Sequence, residues 1–104
     1  MSAPSQTLVA NSVVYYSPLD EGAFFEWLDR IECVARYDGL GSDLTITLSR
    51  AAHDDELREF IALFHRYGVD MRQLAVFGEG ADRAWFRKPS MFWSKAVFGS
   101  GDAS

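Results

Sequence analysis

Three consecutive acidic residues, Asp54, Asp55 and Glu56 in the stretch HDDE, have the composition that acid–base chemistry could use. Paired carboxylates serve as general acid and general base when their surroundings push their pKa values apart. The stretch also begins a predicted helix, and carboxylates in the first turn of a helix are stabilised by the partial positive charge there. This placement accounts for all three carboxylates without any activity. We therefore predict no catalytic residue here and keep the stretch as a candidate surface for binding a protein partner.

The other residues with reactive side chains are few and far apart. His53 and His65 lie at opposite ends of one predicted helix, about 18 Å apart by helical rise, so they cannot bind one metal ion together. Cys33 lies in an alternating pattern that is typical of a small core residue. The glycines of GEGA, residues 78–81, lack the further glycine or the Lys-Ser/Thr pair of nucleotide-binding loops. The sequence thus predicts no catalytic residue, no metal and no cofactor.

The chain of 104 residues carries a net charge of −5 that is unevenly distributed. Residues 1–80 contain six Arg and no Lys against thirteen Asp and Glu, a balance of −7, whereas residues 81–104 have a balance of +2. An acidic body repels phosphate groups and releases no counterions on meeting them, so we expect no direct contact with nucleic acid. The acidity serves solubility in the first place and otherwise favours a basic partner.

The composition is that of a single globular domain. Apolar residues make up 48% of the sequence, enough for the core of a single domain over residues 1–104. Residues 1–11 and 100–104 are small and polar, and we expect them to be frayed. The stretch MSAPSQTLVANS does not have the pattern of a signal peptide, and no apolar run is long enough for a membrane span. A single cysteine fits a reducing compartment, so the expected location is cytoplasmic with no membrane contact.

Capping signals and hydrophobic periodicity predict two main helices. Ser17 and Pro18 begin the first helix, and Asp20 has the spacing of a capping box. The second helix begins at the HDDE stretch and ends at Gly68. The apolar face of the first helix comprises Phe24, Trp27, Leu28 and Ile31.

Period-two patterns predict the strands. NSVVYYS, residues 11–17, indicates a first strand, and the stretch from Cys33 to Leu48 indicates a hairpin around a Gly-rich turn. Residues 71–77 fit either a fourth strand or a short helix capped by Asp70 and Gln73; we favour the strand. The order is then β-α-β-β-α-β, a ferredoxin-like α+β fold with strand 3 between strands 1 and 2. Its sheet would have three or four strands in an antiparallel or mixed arrangement.

The C-terminal stretch WFRKPSMFWSKAVFG, residues 85–99, is rich in aromatic side chains and carries three basic residues. A helix that starts at Pro89 would place Phe92, Trp93 and Val97 on one apolar face. We therefore expect short C-terminal helices that cover the second face of the sheet as a lid. Burial explains the aromatic residues better than a contact surface does.

Three stretches, read together, resemble a known group of proteins. They are SPLDEGAFFEWLDRIECVARYDGLGSDLTI, LREFIALFHRYGVDMRQLAVF and WFRKPSMFW-KAVFG, and the resemblance covers roughly residues 13–99. The chain resembles small bacterial immunity proteins associated with polymorphic toxins, including those of contact-dependent growth inhibition. The resemblance implies a cytoplasmic inhibitor, without catalytic activity, that binds one cognate toxin domain. Many such toxins are nucleases with basic clefts, which an acidic inhibitor suits.

The candidate partner-binding residues follow from charge, not from the resemblance. The first choice is the acidic start of the second helix, and the second is the acidic start of the first helix. Because the helices are expected to be antiparallel, the two patches need not be contiguous. The residues are Asp54, Asp55, Glu56 and Glu59, followed by Asp20 and Glu21.

Two other functions stay open. One is a small-molecule-binding module or small enzyme on a ferredoxin-like sheet, with a pocket lined by Tyr16, Tyr37 or Trp85. The other is a self-associating structural domain that pairs through an edge strand or the aromatic C-terminal end. We expect a monomer rather than a homodimer.

Overall fold

The computed structural model describes residues 6–99. It is an α+β protein with a three-stranded antiparallel sheet and two main helices. The C-terminal third consists of short helices. The elements in chain order are β1 (Gln6–Asn11), α1 (Pro18–Asp29), β2 (Val34–Leu40), β3 (Asp43–Leu48), α2 (Asp54–Tyr67), a 3₁₀ helix (Met71–Phe77), a short 3₁₀ turn (Ala81–Arg83), α3 (Ala84–Arg87) and α4 (Ser94–Phe98).

The strand order is β1-β3-β2, with β3 at the centre of the three strands, and the ferredoxin-like arrangement expected from the sequence is not confirmed. Ile46 of β3 lies opposite Leu8 on one side and Tyr37 on the other, which puts these residues on one face of the sheet. That face is buried at Leu8 and Ile46. The opposite face, which includes Thr7 and Thr45, is mostly polar and partly or fully exposed, with Val9 and Leu40 as its apolar members. The sheet therefore has one core face and one mostly polar face.

The predicted position of the first strand was wrong. Strand β1 lies at Gln6–Asn11, within residues expected to be frayed, and residues 13–17 have no regular structure. Ser12 has a φ of 54°, a left-handed conformation that interrupts the extended chain directly after β1. Tyr15 then packs edge-on against Phe24 of α1 at 5.6 Å. The apolar stretch thus serves helix packing, and the expected fraying of residues 1–5 and 100–104 falls outside the described residues.

The predicted helix boundaries are confirmed. The Ser17 hydroxyl accepts a hydrogen bond from the Asp20 backbone N–H at 3.1 Å, with Pro18 in the first helical position. Helix α2 ends at Gly68, whose φ of 70° requires the left-handed region that glycine tolerates best. The Tyr67 hydroxyl donates to Asp20 at 3.0 Å. The end of α2 therefore lies beside the start of α1, and the two helices are antiparallel, as expected.

Residues 71–77 form a 3₁₀ helix, so the favoured strand was wrong and the capped helix was the better interpretation. The Asp70 carboxylate accepts a hydrogen bond from the Arg72 backbone N–H at 3.0 Å. The Gln73 side-chain amide accepts from the Val9 N–H at 2.7 Å and donates to the Val9 carbonyl at 2.8 Å. Gln73 thus pairs with the outer edge of β1 as a neighbouring strand would.

The C-terminal stretch packs elsewhere than expected. Phe86, Trp93 and Val97 are buried, which agrees with a role in the core. Helix α4, however, packs against the 3₁₀ helix rather than the second face of the sheet. It begins at Ser94, not Pro89, and the side chain of Phe92 is exposed. A lid over the sheet is not needed within residues 6–99, because the second face is mostly polar.

Candidate acidic binding groove

An open groove of about 680 Å³ lies between the second half of α1 and the first half of α2. Both helices contribute acidic side chains to it. The lining residues are Ala23, Glu26, Trp27, Arg30, Ile31, Glu32, Asp55, Glu56 and Glu59.

The groove is negatively charged. Five of its nine lining side chains are carboxylates and one is a guanidinium. The guanidinium of Arg30 contacts Glu26 at 3.5 Å, and both side chains are well exposed. An exposed pair of this kind contributes little to stability and can open at little cost. The groove therefore presents negative charge to a partner that supplies Lys or Arg side chains.

Glu56 forms the floor of the groove and is engaged within the fold. Its two oxygens accept from the Arg50 guanidinium at 2.6 and 2.8 Å. They also accept from the backbone N–H of Cys33 at 3.0 Å and of His53 at 2.8 Å. The residue is only 7% exposed. Hydrogen bonding to Arg50 is the main cause that lowers the pKa of Glu56 to about 2. Glu56 thus joins α2 to the start of β2 as a permanent anion.

Asp54 lies outside the lining of the groove. Its carboxylate is 2.8 Å from Nε of Arg83, a mostly buried side chain. The same guanidinium donates to the carbonyl of Phe77 at 2.9 Å and of Ala52 at 2.7 Å. Asp54 therefore helps to attach the segment after the 3₁₀ helix to the start of α2, and its charge is largely neutralised.

Asp55 and Glu59 are the two sequence-predicted residues that line the groove and stay exposed. Asp55 accepts a hydrogen bond from the Glu56 N–H at 3.0 Å. Glu59 accepts from the Trp27 indole N–H at 2.9 Å, across the two helices. Their remaining acceptor positions face solvent. They are the carboxylates of the α2 start best placed to meet a partner.

The second predicted patch lies at the other end of α1. Asp20 accepts from the Tyr16 N–H at 3.0 Å and from the Tyr67 hydroxyl at 3.0 Å, so its carboxylate is occupied. Glu21 is exposed in the first turn of the helix. The two acidic patches do not form one cluster.

Sequence reasoning missed the α1 side of the groove, which includes Glu26, Trp27 and Glu32. Trp27 falls on the apolar face by spacing, yet it is only half-buried because its indole turns toward Glu59. The pattern of exposed carboxylates on both predicted helices was the available signal. The groove depends on how α1 and α2 are placed relative to each other, which has no signature in the local sequence.

The cysteine and the two histidines that were considered for catalysis or metal binding are not among the residues that line the groove. The Cys33 thiol is buried, and burial, followed by the charge of Glu56, raises the pKa of Cys33 to about 11. His53 is exposed before α2, while His65 stacks edge-on with Phe92 at 5.0 Å. Within residues 6–99, no group of three or more His, Cys, Asp or Glu side chains could hold a metal ion.

Comparison with known proteins gives no relative. No family model, no curated protein and no solved structure matches the chain. In the described part of the chain, no helix is both long and apolar enough to cross a membrane. The function is therefore argued from the groove and from the surface around it.

Proposed function

We propose that the protein is an immunity-type inhibitor that binds and neutralises a cognate bacterial toxin domain, without catalytic activity of its own. The observation that carries the proposal is the open acidic groove between α1 and α2. The proposal agrees with the resemblance to immunity proteins described for the sequence. The partner would be a basic domain, for example a nuclease whose cleft normally holds phosphate groups.

The chemistry of the groove suits a protein partner. Glu26, Asp55 and Glu59 are exposed carboxylates, so a Lys or Arg side chain from a partner can contact them without a large desolvation cost. Opposite potentials accelerate the encounter and determine which partner is accepted. Trp27 adds an aromatic wall, on which a guanidinium can stack. A partner with a basic loop or helix would fill such a groove.

The titratable groups support binding rather than reaction. Glu56 is held as an anion by Arg50, with its pKa lowered to about 2, and the Cys33 thiol has a pKa raised to about 11. A general acid or base works best with a pKa near the working pH. These shifts move both groups away from that range and are explained by the fold.

The alternative of a small-molecule site depends on a pocket that its expected residues do not form. Tyr16 is exposed, the Tyr37 hydroxyl donates to Asp29 at 2.8 Å, and Trp85 lies under the Arg58 guanidinium at 4.0 Å. These aromatic residues are in three different places. No observation on the described residues favours this function over the inhibitor.

Co-expression tests the proposal. The proposal expects the toxin domain to be the C-terminal domain of a secreted protein encoded beside the gene, and the wild-type protein should restore growth of cells that produce this domain. The double variant Asp55→Lys/Glu59→Lys should lose most of this protection, because it reverses charge in the groove. The control Glu79→Lys/Asp82→Lys makes the same change in net charge at exposed positions outside the groove. Absence of protection by the wild-type protein would refute the inhibitor function.

A further inference from the structure

Three large apolar side chains are exposed just before α1 and in its first turn. Tyr16 is 88% exposed, Leu19 86% and Val14 60%. Single exposed apolar residues are normal, but neighbouring ones on a small protein commonly mark an interaction surface. We refer to these three residues as the apolar end.

Hydrogen bonds and packing hold the apolar end together. The Ser12 N–H donates to the Ser42 carbonyl at 2.8 Å, which places the chain after β1 beside the β2–β3 turn that follows Leu40. Tyr15 packs inward on Phe24 and Phe25 of α1. Its neighbours Val14 and Tyr16 are left exposed, next to Leu19 in the first turn of the helix.

The charge around the apolar end is predominantly negative. The segments 11–25 and 36–49 contain four carboxylates and one Arg, and the guanidinium of that Arg36 lies 3.2 Å from the Asp38 carboxylate. A second copy of the chain docked there would bring these carboxylates against each other. The surface therefore suits a protein with an apolar centre and a basic rim. The four carboxylates are those of Asp20, Glu21, Asp38 and Asp43.

The apolar end continues into the acidic groove along α1. Leu19, Ala23, Glu26 and Arg30 follow each other at spacings of three and four residues, so they form one exposed stripe of the helix. The last three line the groove. Leu19 lies one turn before Ala23, about 6 Å by helical rise. One partner surface can therefore cover both regions.

We propose that the apolar end anchors the same basic toxin domain that the acidic groove attracts, with Tyr16 and Leu19 as the main contacts. This inference rests on the proposed function. Buried aromatic and apolar anchors dominate binding energy and set the dissociation rate, whereas exposed charges mainly set the association rate. The groove would then steer the encounter, and the apolar end would hold the complex.

Binding kinetics test the division of roles. The probe is the purified C-terminal domain of the secreted protein encoded beside the gene, inactivated by substitution and immobilised on a sensor surface. The variant Tyr16→Ser/Leu19→Ser should raise Kd about thirtyfold or more, mainly through faster dissociation. The variant Asp55→Asn/Glu59→Gln should slow association and reduce its dependence on salt. The control Val76→Ser removes an apolar residue that is 55% exposed in the 3₁₀ helix, and should leave the kinetics unchanged.

The outcomes separate the two proposals. No binding by the wild-type protein would overturn the proposed function, and this inference with it. Wild-type kinetics for Tyr16→Ser/Leu19→Ser, together with weakened binding by the groove variant, would overturn this inference alone. A wild-type homodimer in sedimentation that the Tyr16→Ser/Leu19→Ser variant converts to a monomer would also overturn it, because a second copy would then be the occupant. Unchanged melting temperatures would verify that both variants fold.

Discussion

Neutralising Glu56 tests how the start of α2 is anchored. Its carboxylate accepts hydrogen bonds from Arg50, Cys33 and His53. Mainly through Arg50, these contacts lower its pKa from 4.5 to about 2. One pKa unit corresponds to about 1.4 kcal/mol, so the upper limit of the stabilisation at neutral pH is about 3 kcal/mol. Because Arg50 is partly exposed to water, we expect about 2 kcal/mol to be realised.

The dependence on pH has a definite sign. The pKa of Glu56 is lower in the folded state than in the unfolded state, so its contribution is complete above pH 4.5 and is lost as the pH falls toward 2. The variant Glu56→Gln lacks the ionised form. It should be about 2 kcal/mol less stable than the wild type at pH 7, and the difference should vanish near pH 2.

Urea unfolding, followed by tryptophan fluorescence between neutral and acid pH, measures this difference. Glu59→Gln is the matched control, because it neutralises an exposed carboxylate on the same helix that accepts one hydrogen bond from Trp27. It should change the free energy of unfolding by about 0.5 kcal/mol or less. Equal losses of stability on acidification in the wild type and Glu56→Gln would refute the assignment of Glu56 as the anchoring anion.

Three further outcomes follow from the fold. Gly68→Ala should lower the free energy of unfolding by about 1 kcal/mol, because φ is 70° at this position. Gly22→Ala should raise the free energy of unfolding by up to about 1 kcal/mol, because this position in α1 has open space for a methyl group. Chemical denaturation measures both values, and a Gly68→Ala variant more stable than the wild type would contradict the capping role of Gly68. The Cys33 thiol should react with a disulfide reagent at mildly alkaline pH only after unfolding, since burial raises its pKa to about 11; fast reaction of the native protein would count against this environment. Deletion of residues 85–99 should abolish cooperative thermal unfolding, because it removes Phe86, Trp93 and Val97 from the core; a cooperative transition in the truncated protein would show that the segment is dispensable.

Local interactions made the helices predictable from the sequence. The cap at Ser17 and the left-handed stop at Gly68 depend on residues a few positions apart, and both are found in the structure. The alternation around Ile46 likewise identified the central strand. These features depend on hydrogen bonds and periodicities that a short stretch of chain contains.

Long-range contacts explain the failures. Val13 to Tyr15 have strand-like composition, but Tyr15 is used to pack on Phe24, and the true strand precedes it. Residues 71–77 alternate like a strand, yet Gln73 completes the edge of β1 from a 3₁₀ helix. The groove depends on the placement of α1 beside α2. In each case the structure depends on a contact with a residue more than eight positions away in the sequence. Hydrophobic periodicity within a short stretch carries no information about such a contact.

The pairing of Gln73 with Val9 has a consequence for assembly. The Gln73 side-chain amide already occupies the hydrogen-bonding groups of Val9 at the outer edge of β1. A strand from another molecule must displace this amide before it can pair with β1. The opposite edge, β2, has an irregular register between Val34 and Arg36 and carries an ion pair between Arg36 and Asp38 at 3.2 Å. Both features hinder strand addition. Within residues 6–99, both edges of the sheet are therefore protected against the addition of a further strand.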